Sequence, residues 1–227
     1  MPARTVQRPA RKRPRSTKRP GTLRLYHEKR NLAASGEPGE AGAEQPKVGA
    51  IRRYVIQKHD ATRLHYDFRL EMEGVYRSWA VPKGLPTEAG ERTLAVEVED
   101  HPLAYGNFEG TIPEGNYGAG TVMLWDRGNY TVSGVEPEVA YRQGKIHLAL
   151  AGEKCVGEWT LVRMRPRPND KHNNWLMIKN SGPQHRAPVT GAERERSVLS
   201  GRTMEEIDAG KDGGRGETET RGNGVRG

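Results

Sequence analysis

The sequence predicts an all-β fold of antiparallel strands, a barrel or a sandwich, on three observations. Residues 63–70 alternate strictly between apolar and polar, many short β-rich runs follow one another at close spacing, and no long amphipathic helix intervenes. Taken in order, the strands are expected at Tyr54–His59, Arg63–Leu70, Val75–Val81, Thr93–Val98, Thr121–Trp125, Asn129–Val132, Lys145–Leu150, Glu158–Met164 and Asn174–Lys179, with Gly and Pro turns between them. Trp79, Trp125, Trp159 and Trp175 fall inside these patterns and are expected in the core rather than as base-stacking platforms. The glycine-rich stretch Gly110–Gly120 lacks both a following helix and a Gly-Lys-Ser/Thr signature. It reads as a connection between strands, not as a phosphate loop.

Charge divides the 227 residues into a centre and two tails. Lys and Arg number 37 against 29 Asp and Glu, for a net charge of +8. Residues 1–20 carry eight basic side chains and no acid, among them Arg11, Lys12, Arg13, Arg15, Lys18 and Arg19, which accounts for the whole excess. A Pro-interrupted basic arm cannot bury a core, so it is expected to be a disordered polycation that binds nucleic acid, with a solubility tail as the plainer alternative. From 182 to 227 the chain is rich in Gly, Arg, Glu and Thr and is also expected to be disordered, leaving 21–181 as the folded domain. No apolar run of 18 residues is present, and no apolar stretch follows the basic N-terminus. A membrane span and a secretory signal are therefore not expected, and a cytoplasmic, nucleoid-associated protein is. The lone Cys155 excludes an internal disulfide and a Cys-x-x-Cys site.

The chemistry sits in the alternating strand. His59, His65 and Asp67 are six and two residues apart, so on a regular strand they share one face. Two imidazoles and a carboxylate leave open positions on a divalent metal. Arg69 continues the face, and a guanidinium beside a metal suits an anion between them, as a phosphate would be. The plainer reading makes the same residues the solvent face of a half-buried strand.

The blocks QKHDATRLHYDFRL and EDHPLAYGNFEGTIPEGNYGAGTV, with WTLVRMRPRPNDKHNNWLMIKN, resemble the 3′-phosphoesterase domain of bacterial ligase D over about residues 21–180. The resemblance implies a compact antiparallel β-barrel with few short helices. It implies repair of DNA 3′ ends: removal of a 3′-phosphate and of 3′-terminal ribonucleosides from DNA or DNA/RNA ends, leaving a 3′-OH. By position it makes His59, His65 and Asp67 ligands of a divalent metal, typically manganese. Gln57, Arg69 and Lys83 become phosphate contacts; His101, Tyr105, Arg30 and Glu37 join Arg69 and Lys83 as catalytic residues, with Glu99 a weaker carry-over. His101 is expected to stabilise or protonate the leaving oxygen, and water to be the attacking group.

Two departures qualify this. Asn31 and Leu32 follow Lys29-Arg30 where the family has Asp and Phe, and Thr93 stands where a basic residue is expected. They put the ribonuclease step and the phosphate grip in question and give a noncatalytic DNA-end-binding module of the same fold as the alternative; a non-haem iron oxygenase shares the two-His, one-carboxylate triad. No Lys-x-Asp-Gly ligase nucleophile is present, so the reading is of a stand-alone, monomeric domain, with ligase, polymerase and Ku-like proteins as partners in trans.

Overall fold

The computed structural model describes residues 23–39, 51–182 and 191–210. Among the described residues ten strands run in chain order: β1 (Arg52–Asp60), β2 (Leu64–Met72), β3 (Val75–Val81), β4 (Arg92–Glu97), β5 (His101–Pro102), β6 (Gly110–Ile112), β7 (Gly120–Val132), β8 (Lys145–Gly152), β9 (Val156–Arg163) and β10 (Asn174–Lys179). Eight of them form the ring β1-β2-β3-β4-β10-β9-β8-β7, which closes where β1 pairs antiparallel with β7. β5 adds to β3 and β6 to β7 outside the ring. Closure removes the sheet edges that an open sandwich would have to protect, and so decides for the barrel. The helices are short: α1 (Arg24–Lys29), α2 (Leu32–Ser35), α3 (Pro137–Gln143) and α4 (Met204–Asp208). None of them is long and apolar enough to cross a membrane.

One parity of each strand fills the barrel. Tyr54 and Ile56 of β1, Phe68 and Leu70 of β2, and Trp79 of β3 meet Trp175 and Leu161 from the opposite wall, all at 0% exposure. All four tryptophans are buried, as their strand positions predict. At about 1.5–3 kcal/mol for each large side chain taken from water, this interior is the main source of stability.

Expected strands at Thr121–Trp125 and Asn129–Val132 are one continuous element, β7, because Asp126 does not make a turn. It pairs with Ile56, and its carboxylate accepts from Tyr54 Oη (2.7 Å), Lys154 N (2.8 Å) and Cys155 N (2.9 Å). Asp126 is a satisfied buried acceptor. Cys155 lies beside it, and burial holds its thiol well above the usual range.

The reading of 182–227 as a disordered tail does not describe residues 191–210. A 3₁₀ turn at Gly191–Glu195 and α4 form a strap along β7 and β6. Arg194 O accepts from Trp125 Nε1 at 2.7 Å, the Ser197 and Ser200 hydroxyls donate to the Glu109 carboxylate, and Ile207 is 3% exposed in the main core. Thr203 and Glu206 make a reciprocal capping box on α4. One buried isoleucine in a polar stretch gives no periodicity to read, so the sequence conceals this element. The basic arm 1–20 and residues 211–227 lie outside the described residues.

Candidate metal centre and phosphate cleft

The other parity of β1 and β2 faces outward. Register places His59 opposite His65, Gln57 opposite Asp67 and Val55 opposite Arg69, so the polar set of both strands shares one outer patch of the barrel wall. This patch is no solvent face: His59 and Asp67 are each 7% exposed and Arg69 is 2% exposed. A cover made by α1, α2 and the 3₁₀ turn Leu103–Asn107 encloses it, held by a second apolar cluster of Leu23, Tyr26, Val75 and Tyr105. Between wall and cover lies a cleft of about 160 Å³.

His59, His65 and Asp67 offer ligand atoms within 4.8 Å of one another. His59 Nδ1 is 3.6 Å from Asp67 Oδ2, and His65 Nε2 is 3.7 Å from Asp67 Oδ1. The far nitrogen of each ring contacts a backbone carbonyl, His59 Nε2 to Gly118 O at 2.9 Å and His65 Nδ1 to Arg63 O at 2.8 Å. A carbonyl only accepts, so these nitrogens carry protons, and His59 Nδ1 and His65 Nε2 are the ring atoms turned to the carboxylate. Carbonyl-oriented imidazoles are the usual support of metal-ligating histidines. Burial would raise Asp67, but the Arg69 guanidinium and then His59 hold it well below the usual carboxylate range, so it is ionised and able to bind. The donor set fits a divalent ion that accepts nitrogen and oxygen ligands.

Arg69 is committed mainly to the protein. Its Nε donates to Gln57 Oε1 (2.8 Å), Nη1 to Ser78 Oγ (2.9 Å) and Nη2 to Asp67 Oδ2 (2.9 Å), and Nη1 lies against His101 Nδ1 at 2.8 Å. Three of its five N–H donors are thus used and a fourth is turned against His101, leaving one Nη2 hydrogen for an anion rather than the bidentate fork expected from the sequence. Gln57 is likewise unavailable to a phosphate. Its amide donates to Tyr105 O (3.1 Å) and Phe108 O (2.9 Å) while its oxygen holds Arg69, so it fixes the wall to the cover. Lys83 is exposed on the loop after β3 and is not among the residues that line the cleft.

Arg30 enters the cleft from the end of α1. Its Nε donates to Glu37 Oε1 (2.9 Å), Nη1 to Glu99 Oε1 (2.8 Å) and Nη2 to His101 Nε2 (3.2 Å), with the guanidinium 4.3 Å from the Tyr26 ring centroid. Glu37 therefore acts through Arg30. Glu99 matters more than the resemblance suggests, since it also accepts from Lys29 Nζ at 3.0 Å. Ser78, Tyr117 and Gly118 are not legible as site residues in the sequence. Ser78 becomes recognisable only once register sets it opposite Arg69.

His101 sits between two guanidiniums. Burial, then Arg69 and Arg30, hold it well below the ordinary histidine range, so the ring is neutral. Its Nδ1 is 2.9 Å from Glu99 O, and a proton there lets Nε2 accept from Arg30, which satisfies two partners at once. The expectation of a proton-donating His101 does not hold for this state: the imidazole is an acceptor facing Arg30. Tyr105, 2% exposed with its ring centroid 4.8 Å from that of His101, is the opposite case, because burial raises its phenol well above the ordinary value and keeps its proton on.

The two departures fall outside these contacts. Asn31 is exposed at the start of α2 and makes no side-chain cap bond. Thr93 shares its strand face with Ala95 of the barrel core and is 6% exposed, so its position does not face the cleft.

Residues 57–163 match the family model described as the DNA ligase D 3′-phosphoesterase domain. The chain is 44% identical over 185 residues to the multifunctional non-homologous end joining protein LigD of Pseudomonas aeruginosa, covering 80% of this chain and 22% of that protein. With the LigD of Mycolicibacterium smegmatis it shares 40% identity over 181 residues, 75% of this chain and 23% of the relative. With that of Mycobacterium tuberculosis the figures are 43% over 140 residues, 62% and 18%. The chain spans less than a quarter of the length of each of these relatives.

Proposed function

We propose, for a chain whose residues 57–163 belong to the DNA ligase D 3′-phosphoesterase domain family, that the cleft hydrolyses phosphate esters at DNA 3′ ends with a divalent metal, manganese in the first instance. The products are ends carrying a 3′-OH, formed by removal of a 3′-phosphate and of a 3′-terminal ribonucleoside. The observation that carries the reading is the juxtaposition of the His59, His65 and Asp67 ligand set with Arg69 and Arg30 in one enclosed cleft. Histidine and carboxylate donors suit the metal, and two guanidiniums suit the anion it would share.

His59 Nδ1, His65 Nε2 and Asp67 would hold a divalent ion, which would supply a Lewis acid for a phosphoryl oxygen and make water more acidic. The protein supplies the rest. Arg69 keeps Asp67 ionised and aligned, and its remaining Nη2 hydrogen, together with Arg30, offsets the negative charge of the phosphate. Tyr105 retains its proton and can donate a hydrogen bond to a phosphate or leaving 3′-oxygen, while neutral His101 keeps Arg30 turned toward the cleft. Exposed Lys83 and the basic arm are suited to the DNA backbone beyond the end rather than to the scissile phosphate.

The relatives' name refers to non-homologous end joining, and the chain's role is placed there by the same reading: a monomer acting at the nucleoid, preparing ends that ligase and polymerase activities with Ku-like end binders then join. The test is end-group analysis of duplexes terminating in a 3′-phosphate or in one ribonucleotide, incubated with Mn²⁺, Mg²⁺ or EDTA. Metal-dependent conversion to 3′-OH supports the reading. Tight end binding with no conversion under any metal would replace it with the noncatalytic end-binding module.

A further inference from the structure

The connection between β6 and β7 brings an aromatic ring to the rim of the cleft. Tyr26 and Tyr105 are 0% and 2% exposed, whereas Tyr117, which also lines the cleft, is 48% exposed. The ring is held from one side. Lys29 Nζ donates to Tyr117 Oη at 3.2 Å and lies 4.7 Å from the ring centroid, and the Arg30 guanidinium carbon is 5.2 Å from the same centroid. The following residue is Gly118, whose carbonyl accepts from His59 Nε2, so the ring stands one residue from the backbone atom that orients a candidate metal ligand. Its position is thereby tied to the centre of the cleft while nearly half its surface meets solvent.

An exposed tyrosine costs little if scattered on a surface, but this one adjoins the place where a terminal phosphate is expected to bind. A phosphate seated between the ligand set and Arg30 brings its own nucleoside to the rim. Every base has a π face, so an aromatic ring there binds it with little dependence on sequence, as an enzyme acting on unspecified ends requires. The cations that lie over the ring and the hydrogen bond to its hydroxyl fix it in place, and the exposed remainder of its surface is left for the base.

We propose that Tyr117 is a specificity-determining residue that stacks on the base of the 3′-terminal nucleotide. This rests on the phosphoesterase reading above for the identity of the ligand. The ring makes the site select a terminal nucleoside over a bare sugar phosphate. Its hydroxyl, bonded to Lys29, only orients the ring.

The experiment compares equilibrium binding of two 3′-phosphorylated oligonucleotides in EDTA, one ending in a normal nucleotide and one in a tetrahydrofuran abasic residue, by fluorescence anisotropy. Wild type, Tyr117→Ala and Tyr117→Phe are titrated in parallel. Stacking of one base corresponds to a preference of about five- to 150-fold for the base-bearing end in the wild type. Tyr117→Ala should bring this ratio close to one, and Tyr117→Phe should keep it. A ratio unchanged in Tyr117→Ala overturns the proposal, as does an equal loss in Tyr117→Phe, which would give the role to the Lys29 hydrogen bond. Because the readout is binding, failure of the phosphoesterase reading appears separately, as absent phosphate release by the wild type when Mn²⁺ is added.

Discussion

Replacing Arg69 by Met should lower stability by about 4 kcal/mol and abolish turnover. Arg69 is 2% exposed and donates to Asp67, Gln57 and Ser78. Removing one member of a buried ion pair costs about 3–5 kcal/mol, since the remaining charge loses its partner. The stranded Gln57 oxygen would add about 1–3 kcal/mol if nothing replaced the donor, but water can enter from the cleft, so the lower part of the combined range applies. A domain with about 5–15 kcal/mol of stability remains folded. The assay is urea unfolding of wild type and variant in EDTA, repeated between pH 8 and pH 4, with turnover measured on the same preparations.

The pH dependence has a defined sign. Asp67 is depressed in the folded wild type, so it contributes stability above the unfolded carboxylate value of about 3.9, and this is lost as pH falls toward its folded value. Without Arg69, burial acts on Asp67 with less opposition and raises it. The difference between the two proteins should be level near neutrality and shrink once pH falls to the raised Asp67 value of the variant. A cost below about 1 kcal/mol with unimpaired turnover would refute the assignment of Arg69 as the brace of the site. Arg69→Lys should also lose most activity, because one ammonium cannot reach all three acceptors.

Gly118→Val should weaken metal binding by about 10- to 100-fold, since a β-branched residue is strained at φ +78° and the carbonyl that fixes His59 would shift; Mn²⁺ affinity by calorimetry checks it, and an unchanged value would detach the carbonyl from the site. Truncation after residue 190 should cost about 3–5 kcal/mol by exposing the Ile207 site and depriving Glu109 of its hydroxyl donors; a thermal midpoint equal to that of the full chain would make the strap an ornament. Deletion of residues 1–20 should weaken DNA binding and flatten the plot of log K against log salt by roughly 0.9 for each phosphate the arm no longer neutralises, and parallel plots would show an idle arm.

Strand period carried most of what could be read in advance. The alternation at 63–70 separated Tyr66, Phe68 and Leu70 from His65, Asp67 and Arg69, and the register of β1 against β2 brought the ligand set together as that alternation implied. It could not show that the polar parity is covered, because the cover comes from α1 and the 3₁₀ turn, whose partners are 70 or so positions away in sequence: Arg30 meets Glu99 and His101. Coverage changes roles. The same burial that makes Arg69 a brace takes Gln57 out of reach of substrate and leaves His101 neutral. Closure of the barrel by β1 and β7 was equally hidden, since strands about 60 to 80 residues apart announce no pairing. Gly118 and Ser78 act through a carbonyl and a hydroxyl that any loop or strand offers.

The most direct test measures bound manganese and phosphate release together, on a duplex with a 3′-phosphate, in wild type and in Asp67→Ala. The wild type should bind the metal and release phosphate in proportion to occupancy, and the variant should lose both, since the carboxylate is one of the three candidate ligands. Phosphate release by Asp67→Ala at the wild-type rate with limiting manganese would contradict the metal-centred reading of the cleft.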